Sequence, residues 1–317
     1  EKVFNSAMDY FLYISISYPF LAQFNTCSAV FRADNKAIVP MLISLGMNIM
    51  NVCGNALFIF GFGMESGGAG LASMISRVVG FGVIYALMLR PSRRVGLSAF
   101  YKMRTDKATV GKILRVGLPT GFENGIFQIG KLLVQGFVTS YGTMHIAANA
   151  ISSNMSNIAI MVCASFGLAM TTVVGQCMGA GEVRQARNYL LKLTGCGWIV
   201  ISVIAGAMIL LRGTITEWYN LSGETAQLAK LLILICSIES IVSWPPAFLP
   251  GYGMRSAGDV RYSMITAVSS MWVFRVGLGY VLGSLVGWKS AGILLGMGAD
   301  WIFRGIMFTC RFFSGRW

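Results

Sequence analysis

Charge is what this chain has least of. Only 12% of its 317 residues are Asp, Glu, Lys or Arg, whereas an ordinary soluble domain carries about 25%. A chain this poor in charge cannot cover its own surface with polar groups, which excludes a soluble globular protein. Histidine is scarcer still. The single His145 cannot build a metal site alone, and neither metal-ligand spacing nor a nucleophile elbow appears anywhere. A membrane-embedded enzyme is therefore the weakest reading. The seven cysteines include no CxxC pair and lie mostly inside apolar runs, where they read as small apolar fillers. Acids number 12 against 25 bases, a net charge of +13. The bases sit in a few loops between apolar runs with no continuous basic face, so nucleic acid is not an expected partner.

What fills the chain instead is hydrophobic sequence, 55% of all residues. The runs are about twenty residues long, the length a helix needs to cross a bilayer, and twice that of a barrel strand. An all-α polytopic membrane protein follows, with the lipid bilayer as its solvent. Nine spans can be marked, at 8–30, 37–60, 67–89, 111–140, 147–177, 188–211, 226–252, 262–284 and 290–312.

Loop charges orient them. The segment 90–115 carries Arg90, Arg93, Arg94, Lys102, Arg104, Lys107, Lys112 and Arg115 against one acid, Asp106, and is expected on the cytoplasmic side. Alternating outward from it, Arg184, Arg187 and Lys192 fall inside, as do Arg255 and Arg261, the Arg32–Lys36 loop and the C-terminal tail. The loops at 61–66 and 141–146 lack Lys and Arg and fall outside. This places residue 1 outside with no export signal before it, which suggests that more chain preceded it.

An internal repeat points the same way. FRADNKAIVPM around Arg32 resembles MRSAGDVRYSM around Arg255, and GAGLASMISRVVG at 68–80 loosely matches SAGILLGMGADWIFRG at 290–305. The first three spans echo the last three, and the middle three have no partner. The expected division is residues 1–90 as half of a first lobe, 91–110 as a basic cytoplasmic linker and 111–317 as a second lobe. Transporters are often built from such repeats, with the site at their interface.

Several ionisable residues fall at membrane depth, where each costs roughly 2.5–3.5 kcal/mol on insertion scales. In GLPTGFENGIFQIGKLLVQGF, residues 117–137, Glu123 lies about one turn after Pro119 and Lys131 eight residues on, too far for a tight pair. Glu123 either binds a proton or sodium ion or pairs with a base from another helix. Asn124 and Gln128 form one polar stripe, and Asn149, Ser153 and Asn157 another. These stripes line a cavity or serve as interhelical hydrogen-bond glue. Asp300 and Arg304, four apart, form a neutralising pair or a titrating site. Their repeat counterpart Arg77 has Ser73 in the acid's place. Glu239 precedes Pro245, Pro246 and Pro250, which should break or kink that helix. With Trp244 it resembles a site for an organic cation. Arg275 is expected to be a buried partner of Glu123, Glu239 or Asp300.

Taken together, four stretches resemble the multidrug and toxin compound extrusion (MATE) transporters. They are IAANAISSNMSNIAIMVCASFGLAMTTVVGQCMGAG at 146–181, YPFLAQFNTCSAVFRADNKAIVPM at 18–41, GLPTGFENGIFQIGK at 117–131 and ADWIFRGIMFTCRFFSGRW at 299–317. The resemblance implies a twelve-helix fold of two six-helix lobes around a central cavity, of which this chain would supply nine helices. It implies a secondary antiporter of the bacterial inner membrane, without a cofactor, acting as a monomer by alternating access. Small organic compounds, often cationic, would leave in exchange for protons or sodium ions. Glu123, Asp300 and Asn149 are the expected coupling residues, Gln128, Asn154, Glu239 and Trp244 the expected substrate contacts, and Lys131, Arg275 and Arg304 the charge-balancing residues. In one sodium-coupled branch the helix Glu lies about a turn deeper, where this chain has Phe127 and Gln128. The alternative is a flippase for lipid-linked saccharides from the same superfamily, which should have a strongly basic cavity.

Overall fold

The computed structural model describes residues 2–89, 106–221 and 223–315. Most of the expected linker lies outside the described residues. Among the described residues nine α-helices follow one another, α1 Lys2–Ala33, α2 Ile38–Ala56, α3 Glu65–Met88, α4 Lys107–Ser140, α5 Thr143–Gly179, α6 Val183–Trp218, α7 Gly223–Ala257, α8 Val260–Ser270 and α9 Lys289–Phe313. Helix α2 continues into a π-helical turn, Leu57–Gly61, and α8 into two more, Met271–Leu278 and Val281–Leu285. Seven of the nine are long and apolar enough to cross a membrane; α1 and α4 are long but more polar. The exterior carries large side chains that water would not tolerate in such number, with Phe60 at 87% and Leu210 at 85% exposure. The helices run past the expected spans by several residues at most ends, because polar residues continue a helix beyond hydrocarbon until a glycine stops it. Gly142 (φ 101°), Gly181 (φ 78°) and Gly258 (φ 101°) occupy three of these stops, in the left-handed region that favours glycine.

The contacts divide the chain into two compact units, residues 1–104 and 105–317. In the first, α3 packs against both α1 and α2, around Phe24, Phe31 and Ile84. Arg77, in the middle of α3, donates to Ser17 Oγ at 2.6 Å and lies over the Tyr18 ring. Ser73 accepts from Asn51 at 3.0 Å.

In the second unit α5, α6, α7 and α9 share a core that includes Cys163, Met170, Leu190, Ile201, Leu232, Leu249, Trp301 and Phe308. Helix α4 packs on α8 and its first π-helical turn. Helix α7 is not broken by its three prolines; it runs unbroken from Gly223 to Ala257. Proline lacks an N–H, so Pro245 leaves the Ile241 carbonyl without its intrahelical donor. The Trp198 indole N–H of α6 takes that carbonyl at 2.6 Å, which removes one reason for the helix to open.

Candidate functional site

Buried charge in the second unit is arranged in three parts. The first is Glu123, only 7% exposed. One Arg255 nitrogen donates to both its carboxylate oxygens at 3.2 Å. Arg255 also donates to the Gly251 carbonyl and sits over the Tyr252 ring. Charge counting assigned Arg255 to a cytoplasmic loop. It stands instead in the last turn of α7 and closes onto α4. Glu123 thus has a cation from another helix beside it and does not face lipid.

The second part is Asp300–Arg304 on α9, 0% and 3% exposed. Arg304 Nη2 donates to Asp300 Oδ1 at 3.2 Å, to the Ala267 carbonyl at 3.2 Å and to Ser270 Oγ at 3.3 Å. Its guanidinium lies 5.4 Å from the Phe127 ring centre and 5.0 Å from that of Phe248. The pair joins α9 to α8 while cancelling its own charge.

The third part is unpaired. Glu239 and Arg275 make no ion pair within 4.0 Å among the described residues, so the expected pairing of Arg275 with a carboxylate is not realised. Arg275 stands in the π-helical turn after α8. It donates to Met297 Sδ at 2.9 Å and lies over the Phe127 ring, and its Nε has no hydrogen-bond partner. Both Glu239 oxygens are buried without a hydrogen bond. Gly298 of α9 faces this carboxylate, and a Cβ there would stand 2.5 Å from Oε1. Glycine is therefore what lets α9 approach the acid.

Beside these charges lies a cavity of about 400 Å³, within the range of small-molecule sites. One wall is a stripe of α5: Asn149, Ser153, Ser156, Asn157, Ile160 and Ala164. Phe127, Lys131 and Gln135 of α4 form another, and Trp244, Phe248, Tyr252, Arg275 and Trp301 close it. The residues on α4 and α5 recur at three- and four-residue spacing, which puts them on one helix face. Of the residues expected to bind substrate, Trp244 lines the cavity. Gln128 and Asn154 do not; both are exposed, one position round the helix from Phe127 and Ser153, about 100° away. Glu239 does not line it either; Cys236, one turn before it on α7, does. Of the expected coupling residues, only Asn149 reaches the cavity wall. Asn124 turns back to the Thr120 carbonyl at 2.9 Å and forms no stripe there. Sequence reasoning passed over Phe127, although its place one turn before Lys131 puts it on the same face; it also missed Phe248, Tyr252 and Trp301.

A family model described as MatE matches residues 119–281, about half of the chain. The chain belongs to the MatE family. Among its relatives, a probable multidrug resistance protein NorM of Thermotoga maritima is 27% identical over 330 residues, covering all of this chain and 68% of that protein. The uncharacterized transporter YisQ of Bacillus subtilis is 24% identical, over 92% of this chain and 65% of its own length. Multidrug resistance protein PmpM of Pseudomonas aeruginosa is 27% identical, over 85% and 57%. The chain thus spans 57–68% of the length of these relatives. It superposes with a TM-score of 0.87 on an outward-facing multidrug resistance MATE family transporter of the MOP superfamily, at 18% identity, over 98% of this chain and 68% of that one. That likeness establishes the MatE fold, all-helical and membrane-spanning.

Proposed function

We propose that this chain is part of a secondary antiporter that exports small organic compounds across a bacterial inner membrane in exchange for protons or sodium ions, with its C-terminus in the cytoplasm. The observation that carries the reading is the cavity of the second unit. It is a polar-lined space of ligand size inside a helix bundle whose outside is apolar. A bundle that needed only stability would fill that space. Family membership and the drug-resistance names of the relatives agree with it.

Coupling requires a group whose occupancy by an ion biases one conformation over another. Glu123 and Asp300 are both held by arginines, so an ion taking either carboxylate must release Arg255 or Arg304. That released cation would be the element that moves. Asn149 would offer a neutral oxygen at the cavity wall. Glu239, without such a partner, serves as a local counter-charge to Arg275.

The test is transport by the protein reconstituted in vesicles, with proton and sodium gradients imposed in separate arms. Uphill movement of an organic dye in either arm supports antiport. Movement in neither arm, with the dye still bound, contradicts it. A flippase for lipid-linked saccharides is the second reading. The bases Lys131 and Arg275 at a cavity wall that has no acid among the described residues favour it, and flipping of a lipid pyrophosphate in the same vesicles would decide for it.

A further inference from the structure

We propose that the cavity of the second unit takes an aromatic organic anion, held by Lys131 and Arg275, rather than an organic cation. This rests on reading the cavity as the ligand site and narrows what that site accepts.

Three observations carry it. First, among the described residues the charged groups in the cavity wall are Lys131 and Arg275, and no carboxylate lines it. Nearby, Asp300 and Arg304 cancel, and Glu239 removes at most one of the two remaining positive charges. The cavity is net positive whether Glu239 is ionised or not. Second, three ring faces of the wall, those of Phe127, Phe248 and Tyr252, already carry cations of the protein. Lys131, Arg275 and Arg304 all lie within 5.7 Å of the Phe127 ring centre, Arg304 lies over Phe248, and Arg255 over Tyr252. A further cation at any of these three rings would meet repulsion where it needed a free π-face. Third, two wall residues have a buried donor without an acceptor, Arg275 through Nε and Trp301 through Nε1. Neither can accept a hydrogen bond. An ammonium in the wall, with two unsatisfied donors on neighbouring wall residues, favours a carboxylate or sulfonate. Trp244, stacked on Phe248 at 5.1 Å, with Trp301 at the edge of the same ring, supplies an aromatic wall for the body of such a molecule.

The experiment is equilibrium dialysis of three probes of equal shape, naphthoate, naphthamide and naphthylmethylammonium, against the purified full chain in nanodiscs, corrected by empty nanodiscs. Naphthoate should bind about tenfold or more tightly than the amide, the scale of a charge-assisted hydrogen bond, and the ammonium weakest. Lys131→Gln should remove that preference, and Lys131→Arg should restore it. Lys131 is exposed, so these variants do not disturb the core. Equal binding of all three, or preference for the ammonium, overturns the anion assignment and leaves the cavity as a ligand site. No binding by any of them overturns both.

Discussion

Replacing Asp300 by Asn tests the central electrostatic element of the second unit. Asparagine keeps the shape and an acceptor oxygen but removes the charge. The Arg304 guanidinium, 3% exposed, would then be buried without a counter-ion. Breaking a buried pair from one side costs about 3–5 kcal/mol. Here the low end applies, because Arg304 keeps the Ala267 carbonyl, Ser270 Oγ and two ring faces. Arg304→Gln leaves the mirror problem, a fully buried carboxylate, and belongs at the high end. The double variant has no uncompensated charge and should recover much of the loss, giving an interaction energy of about 2–3 kcal/mol across the cycle. Equilibrium unfolding in mixed micelles measures all four proteins. If Asp300→Asn lies within about 0.5 kcal/mol of the parent, as surface substitutions do, the pair is not buried as described. The reasoning then fails.

Other residues give narrower tests. Gly298→Ala would push a Cβ to 2.5 Å from Glu239 Oε1 and should cost about 1–3 kcal/mol, as overpacking does; unchanged unfolding would show that α9 does not approach the acid. Trp198→Phe leaves the Ile241 carbonyl freed by Pro245 without its donor and should cost about 1 kcal/mol, with faster hydrogen exchange in the turn around Pro245. Asp106 caps α4, where the Thr109 hydroxyl and the backbone N–H groups of Ala108 and Thr109 hold its carboxyl below its ordinary range. A depressed pKa stabilises the folded state above the unfolded value and loses that effect as pH falls through the folded one. Asp106→Ala should therefore speed exchange of the Ala108 and Thr109 amides at neutral pH. The difference from the parent should close in acid; one that persists there would refute the charge-based cap.

The sequence marked helices better than it marked neighbours. The nine apolar runs each became a helix among the described residues, because hydrocarbon leaves a single chain segment few other ways to satisfy its backbone. That Glu123 needed company was legible from its depth. That Arg255 supplies it was not, because charge counting gives the side of the membrane but neither where a helix ends nor how it is rotated. The same limit separated Ser153, in the cavity wall, from Asn154, one residue on. The prolines of α7 suggested a break, since proline costs a hydrogen bond locally; the compensating Trp198 lies on another helix and carries no local signal. Asp300–Arg304 was legible because both partners lie one turn apart on one helix.

The most direct test of the cavity as a transport site is to fill it. Ser153→Trp places an indole into the space from the α5 face, leaving the Glu123–Arg255 and Asp300–Arg304 pairs untouched. The variant should insert and fold like the parent while both probe binding and gradient-driven dye movement in vesicles are lost. Undiminished dye movement with the cavity filled would contradict the cavity's role as a transport site.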